Sequence, residues 1–369
     1  MRAERAAAAI TVERLLRSTP RDQWPLLAAH PELTNFGALE RLGNLFNDVQ
    51  GRDPRYALDL TQLAVMVAEG VRENSYPRPI VPQLLAGAWR DLGRAYRDLA
   101  RNNESVEAFQ RADTYLHDEI ALGHDRALVR FNLAITLQEL ERYSEALELL
   151  ATSEAVFREH GDIKRLVRCG IFRGVLLQRL KRFREARETY LLLLSSARNV
   201  DLESLAALHQ AIGFCSIDLG DYVTAEANLD KALSINRELG KPIEVMKVEL
   251  GRGRLLTRTG RHQEAIDHLR PVRRQFLAAG ISEEAGLCGL EVVEAMLALD
   301  KTTQAESLAR RIIAEFTKAG LNKRAITALG YLTEAIASRS VPPDLVTHVR
   351  EYIVSLRTAP ERDFVYVAS

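Results

Sequence analysis

Residues 206–240, AALHQAIGFCSIDLGDYVTAEANLDKALSINRELG, decide the fold. The stretch predicts a first helix running to about Leu219, a turn at Gly220 and Asp221, and a second helix from Tyr222 to Leu239 that Gly240 closes. Glycine suits that closing position because it lacks the Cβ that clashes in a left-handed backbone. The unit recurs along the chain. Ser105, Ala146, Ala186, Ala225, Ala265 and Ala305 occupy the same place near the start of an apolar helical stretch, at spacings of 41, 40, 39, 40 and 40. Gly240, Gly280 and Gly320 repeat the spacing of 40 independently of the alanines. Gly123 and Gly161 are read the same way, as residues that close second helices. A fixed period of this size is the signature of stacked helical repeats, in which each helix pair buries its apolar face against its neighbours.

The small residues have a packing reason. The two helices of a pair cross closely, and Gly93, Ala134, Gly174, Gly213 and Gly253 on first helices let them approach, as do the alanines on second helices. Outward from this array the pattern loosens. Residues 1–50 read as short helices punctuated by Pro20, Pro25 and Pro31. Phe36 to Val71 reads as a weaker pair with a turn near Gly51, Asp53 and Pro54, and Ala57 takes the small-residue role. The expected organisation is an N-terminal helical region (1–75), a Pro-rich junction (76–82) holding Pro77, Pro79 and Pro82, an array (83–340), and a capping helix with tail (341–369). Phe364, Val365, Tyr366 and Val367 form an apolar, β-prone tail, read either as a cap folding back on the last repeat or as a motif for another protein.

An apolar content of 47% is ample for a core and excludes a disordered chain. Fifty basic and fifty acidic residues cancel, so the chain shows no overall bias toward nucleic acid or an anionic membrane. Only eight of the 50 basic residues are lysine, which suits a GC-rich, bacterial genome. Cys169, Cys215 and Cys288 are too few and too apolar in setting for a disulfide framework and are read as buried free thiols. No secretory apolar region and no run of membrane-spanning length is present, and the expected location is the cytoplasm.

The glycines are dispersed through helices rather than gathered in a phosphate loop. His262 and His268, six apart, do not share a helical face and are read as exposed histidines. Basic clusters at Lys181–Arg187 and Arg270–Arg274 are read as outward-facing, and Phe183 is the lone aromatic among them, so nucleic-acid binding is disfavoured. The expectation is no enzyme, with no catalytic, cofactor or metal residues.

The repeating residues resemble the tetratricopeptide repeat, whose pattern is Trp-x2-Leu-Gly-x2-Tyr followed by Ala-x3-Phe. Trp89, Leu92, Gly93 and Tyr96 match its first half, and Ser105 and Phe109 its second. Tyr143, Ala146 and Leu150 follow in phase, then Phe183, Ala186 and Tyr190, then Tyr222, Ala225 and Leu229, then His262, Ala265 and Leu269, with a weaker sixth at Ala305. The period departs from the usual length of about 34, and the closing proline is missing. Long-period forms are similar to those of kinesin light chains and of bacterial peptide-sensing regulators and phosphatases. The resemblance implies an all-α fold: a right-handed superhelix of antiparallel helix pairs whose groove, lined by first helices, binds peptide or protein.

Carried onto this sequence, the resemblance places Arg90, Arg94, Arg97, Phe131, Asn132, Gln138, Arg168, Gln178, Arg179, Gln210, Phe214 and Arg254 in the groove as peptide-binding residues. Leu287, Leu290, Glu294 and Leu297 occupy the same face further on. Basic residues predominate, which suits an acidic peptide with apolar anchors, because arginine forks bind carboxylates bidentately. Arg90, Arg94, Asn132 and Arg168 fall on places similar to a carboxylate clamp, although Phe172 stands where a further basic residue belongs. The leading expectation is a protein- or peptide-binding scaffold or adaptor. Its alternatives are a peptide-responsive signalling regulator with the N-terminal helices as output module, and a structural repeat protein that self-associates.

Overall fold

The computed structural model describes residues 2–117, 122–196, 200–357 and 359–366, of which residues 2, 3 and 196 are described by backbone alone. Val367 of the apolar tail lies outside them. The chain divides into two compact units, residues 1–169 and 170–369.

In the first unit α1 (Arg2–Ser18), a 3-10 turn (Arg21–Gln23) and α2 (Trp24–Leu27) precede the helix pairs. The pairs are α3 (Phe36–Val49) with α4 (Pro54–Glu69), α5 (Ile80–Asp98) with α6 (Asn102–Tyr115), and α7 (Gly123–Glu139) with α8 (Tyr143–Glu159). Helix α9 (Ile163–Arg179) begins in this unit. The pair α3/α4 is a full repeat, with Ala57 fully buried. Helix α1 lies on α3, where a Cβ at Gly37 would come within 2.5 Å of the Glu4 carbonyl. One apolar core runs from Ala8 on α1 through Leu39, Leu60 and Val81 to Leu92 and Ala108, so it continues across the Pro-rich stretch. Gly123 opens α7 instead of closing α6.

The second unit holds α10 (Phe183–Ser196), α11 (Leu202–Asp218), α12 (Tyr222–Glu238), α13 (Pro242–Arg258), α14 (His262–Ala278), α15 (Ser282–Ala298), α16 (Thr302–Lys318), α17 (Lys323–Ala337) and α18 (Leu345–Ser355). Gly161, Gly240, Gly280 and Gly320 do end second helices with positive φ, between 62° and 74°. The turns inside the pairs are different. Gly220 and Gly260 hold positive φ there, and so do Ala100, Glu141, Lys181, Asp300 and Arg339, at 53° to 57°.

The helix crossing is a mesh between a gap and a large side chain. A Cβ at Gly93 would sit 2.9 Å from the Phe109 ring, one at Gly174 2.3 Å from Tyr190, and one at Gly253 2.1 Å from Leu269. Each partner lies one turn after the small residue of the second helix, so the small residue and the glycine together seat it. Ser105 and Ala146, Ala186, Ala225, Ala265 and Ala305 are fully buried. The odd hydroxyl of Ser105 is satisfied, since its Oγ donates to Gly93 O at 2.8 Å and lies 3.0 Å from Thr136 Oγ1. All three cysteines are buried and free. No helix among the described residues is long and apolar enough to cross a membrane.

The tail folds back on the last two helices. Phe364 stacks edge-on against Tyr352, with ring centroids 5.0 Å apart, and Tyr366 against His348 at 5.2 Å. Asp344 accepts a hydrogen bond from Tyr366 Oη at 2.6 Å, and Pro360 O accepts one from Asn322 Nδ2 at 2.8 Å.

Candidate functional site

First helices α3, α5 and α7 share one face of the first unit. A cavity of about 370 Å³ opens there, lined by Leu39, Asn47, Leu84, Arg90, Asp91 and Asp125 among others. Gly87 leaves room beside it, with no atom within 4 Å of where its Cβ would stand.

The arginines of this face differ in their commitments. Arg90 Nη2 lies 3.0 Å from Asp91 Oδ1, and the buried Asp91 raises the pKa of Arg90. Arg94 Nη1 lies 3.2 Å from both Asp91 Oδ1 and Asn47 Oδ1, its Nη2 donates to Gln50, and its guanidinium stacks on Phe46. Both are thus paired within the chain, through one shared carboxylate. Arg97 and Arg168 are not, for neither makes an ion pair with a described residue. Arg97 Nη1 donates to Asn132 O at 3.2 Å, and burial pulls its pKa down. Arg168 is exposed, 5.9 Å above the Phe131 ring. Asn132 and Phe131 are adjacent on α7, so these two guanidinium groups approach one short segment of α7 from α5 and from α9. Asn132 Nδ2 donates to Leu128 O at 2.8 Å, which leaves its second N–H and its Oδ1 available to a ligand. Of the residues expected to form a clamp, Arg90 and Arg94 are held by Asp91, while Asn132 and Arg168 lie near Arg97 without such a pairing.

Other expected groove residues are scattered. Phe131 is 7% exposed and packs inward. Gln138 Nε2 donates to Glu139 at 3.3 Å, while its buried Oε1 has no described partner. Gln178 accepts from Tyr190 Oη at 3.0 Å, a contact within its own helix pair. Phe214 packs over Gly251, where a Cβ would be 2.2 Å from its ring. Gln210 and Arg179 are half-buried.

Arg254 belongs to a buried ionic network of the second unit. Its Nε donates to Glu291 Oε1 at 2.8 Å, and Arg350 Nη1 reaches the same oxygen at 2.8 Å and Glu294 Oε2 at 2.9 Å. Arg258 pairs with Glu294 at 3.0 Å. Burial pushes Glu291 up, but Arg350 and Arg254 outweigh it and hold it below the usual carboxylate range. Asp218 faces the same arginines from α11. It is open to solvent yet ringed by protein, and the loss of surrounding water raises its pKa against their pull.

One further expectation is corrected. His262 and His268 are half-buried rather than exposed, and His268 Nε2 lies 3.0 Å from Glu249 O. The basic clusters face outward for the most part, with Lys181, Arg182, Arg184, Arg270 and Arg274 exposed, and several of their arginines are paired. Arg182 pairs with Glu185 at 2.6 Å and Arg187 with Asp221 at 2.8 Å, while Arg273 is buried against Glu315. Among the described residues no group of His, Cys, Asp and Glu is placed to hold a metal ion.

No protein-family model matches the sequence. No curated protein matches it either. Solved structures do match. BtubC from P. vanneervenii is similar over 65% of this chain and 92% of its own, at 21% identity and a TM-score of 0.52. Aspartyl phosphate phosphatase F from Bacillus subtilis is similar over 82% of this chain and 74% of its own, at 13% identity and a TM-score of 0.59. A signal transduction ATPase with numerous domains and a tetratricopeptide repeat sensor, from Pyrococcus horikoshii, covers 97% of this chain at 14% identity and a TM-score of 0.60. This chain spans only 53% of that ATPase. At these identities the likeness concerns the backbone arrangement. Together with the in-phase glycine and alanine mesh, it shows that this chain has the all-α, helical-repeat fold of the tetratricopeptide type.

Proposed function

We propose that the chain is a cytoplasmic, non-enzymatic binding scaffold that holds an acidic peptide segment on the first-helix face of its first unit. The observation that carries this reading is the pair of guanidinium groups without a close ion pair among the described residues, Arg97 and Arg168, on either side of Asn132. Every other arginine named on that face is already paired. A carboxylate delivered there replaces water on two forks, and a hydrogen bond to a charged group contributes about 1.5–3 kcal/mol. The neighbouring cavity, with Leu39 and Leu84 in its wall, takes an apolar side chain of the same peptide.

The test is a peptide-display selection on the full chain, followed by fluorescence polarisation with the enriched sequences. Selection should enrich Asp, Glu or a free C-terminal carboxylate. Substituting Arg97→Ala or Arg168→Ala should weaken binding about 10- to 100-fold each, and the wild-type affinity should fall as salt is raised. Enriched peptides without acidic groups, or peptides bound equally by the Arg97→Glu/Arg168→Glu chain, would overturn the reading.

A further inference from the structure

The first-helix face of the second unit is occupied. By the repeat pattern Leu287 and Leu290 on α15 face the groove, yet they are 8% and 0% exposed. Helix α18 packs into the same apolar core. Instead of pairing with α17 alone, α18 packs on both α17 and α15, and its Leu345, Val346, Val349 and Ile353 join the core that holds Leu290 and Val293. Arg350, one residue after Val349, drives its guanidinium between Glu291 and Glu294, which Arg254 and Arg258 hold from the other side. Glu351 meets Lys181 at 2.9 Å, and Arg357 meets Glu284 at 3.0 Å and Glu283, so ion pairs hold the second half of α18.

We propose that this face is a docking site for an amphipathic helix carrying one arginine, and that α18 is its resident, displaceable occupant. Three observations point that way. Helix α18 has 11 residues, too few to be stable in water alone, so it is helical because the groove makes it so. Its connection to α17 is irregular around Pro342 and Pro343 and borders an open cavity of about 860 Å³ lined by Arg258, Glu294, Leu297, Val341 and Val346, so the groove beside the near end of α18 is accessible to solvent. The fit is also incomplete: the buried Glu291 Oε2 has no hydrogen-bond partner among the described residues. A helix supplying that donor gains over the resident one, since an unsatisfied buried acceptor is costly. Without Arg350 the face presents Glu291, Glu294 and Asp218 against Arg254 and Arg258. It is then apolar with an acidic bias, the complement of a basic amphipathic helix. This site is separate from the arginine pair of the first unit and stands or falls independently.

The test uses the full chain and a fluorescein-labelled peptide of residues 341–357. In the wild type α18 competes at an effective concentration in the range of about a millimolar, so micromolar peptide should bind weakly. Substituting Arg350→Ala should loosen the resident helix, and binding should tighten on the order of 100-fold, the ratio expected for breaking a buried ion pair. A peptide carrying Arg350→Glu should not bind that variant. Hydrogen exchange on the wild type should show α18 amides opening before those of α13 and α15. Should the Arg350→Ala chain lose its helical circular dichroism, Val349→Ala replaces it in the same assay. Equal or absent peptide binding by wild type and variant would overturn the proposal. So would α18 amides that exchange only together with α15.

Discussion

Substituting Gly253→Ala tests the mesh that sets the repeat. The added Cβ would stand 2.1 Å from Leu269 Cδ2 and 2.4 Å from its Cγ, and Leu269 is fully buried. Moving a terminal methyl does not relieve a contact with Cγ, so the whole side chain or the helix must shift. Overpacking of a tight core costs about 1–3 kcal/mol, and this geometry belongs at the upper end. Alanine in a helix interior returns about 1 kcal/mol relative to glycine, which leaves a net loss of about 1–2 kcal/mol. Gly330 on α17 is the matched control, because nothing lies within 4 Å of its Cβ position. There the helix gain is unopposed and Gly330→Ala should stabilise by about 0.8–1 kcal/mol. Urea unfolding followed by circular dichroism gives the sign. Hydrogen exchange on α13 and α14 localises the loss, which matters because repeat arrays need not unfold in one step. A Gly253→Ala chain as stable as its parent, or shifted in the same direction as Gly330→Ala, would refute the close-approach argument.

Two other outcomes are expected. His268 is held by Glu249, whose hydrogen bond raises its pKa above the ordinary 6.5, and Arg252 and Arg237 sit beside the pair. The stability from this contact is fully present below 6.5 and is lost as pH rises through the higher folded value. Glu249 is itself held below 4.5, so its share is lost only as pH falls through that lowered value. Urea midpoints at about pH 6 and about pH 8.5 should therefore fall more for the wild type than for His268→Gln, and parallel falls would count against the assignment. Burial pushes the Cys215 and Cys288 thiols up to about 12. With Cys169 also buried, the native chain should react only slowly with Ellman's reagent and all three thiols quickly in denaturant. Rapid labelling of native protein would place a thiol at the surface.

What the sequence made legible was whatever is local. The alanine ladder, the pairs it implies and the glycines that end second helices all follow from steric demands within one helix pair. Gly123 was misplaced because a glycine marks a helix boundary without saying which helix it bounds. The arginines show the limit for sites. Their common face is readable from helical spacing, but which of them stay free depends on Asp91, Asn47 and Gln50 turning back toward them. Asp91, the neighbour of Arg90 in sequence, was the one signal available for this. The course of α18 was not readable, since its apolar spacing is that of any second helix. Only the contact of Arg350 with Glu291 and Glu294, on a helix three elements earlier, distinguishes a groove-filling helix from a partner of α17.

The turns inside the pairs have a consequence for how far this chain stands from its own stability ceiling. Among the described residues, Ala100, Glu141, Lys181, Asp300 and Arg339 hold a left-handed backbone that Gly220 and Gly260 adopt freely at the equivalent place. A side chain in that conformation forgoes about 1 kcal/mol. Over the five positions this comes to about 5 kcal/mol, a sum comparable with the whole margin by which a domain of ordinary size stays folded. The repeats are thus unequally tensioned. Glycine relaxes two consecutive turns while the other five lean on the helices around them, and replacing Ala100 or Asp300 by glycine would relieve that strain, offset in part by the larger chain entropy that glycine loses on folding.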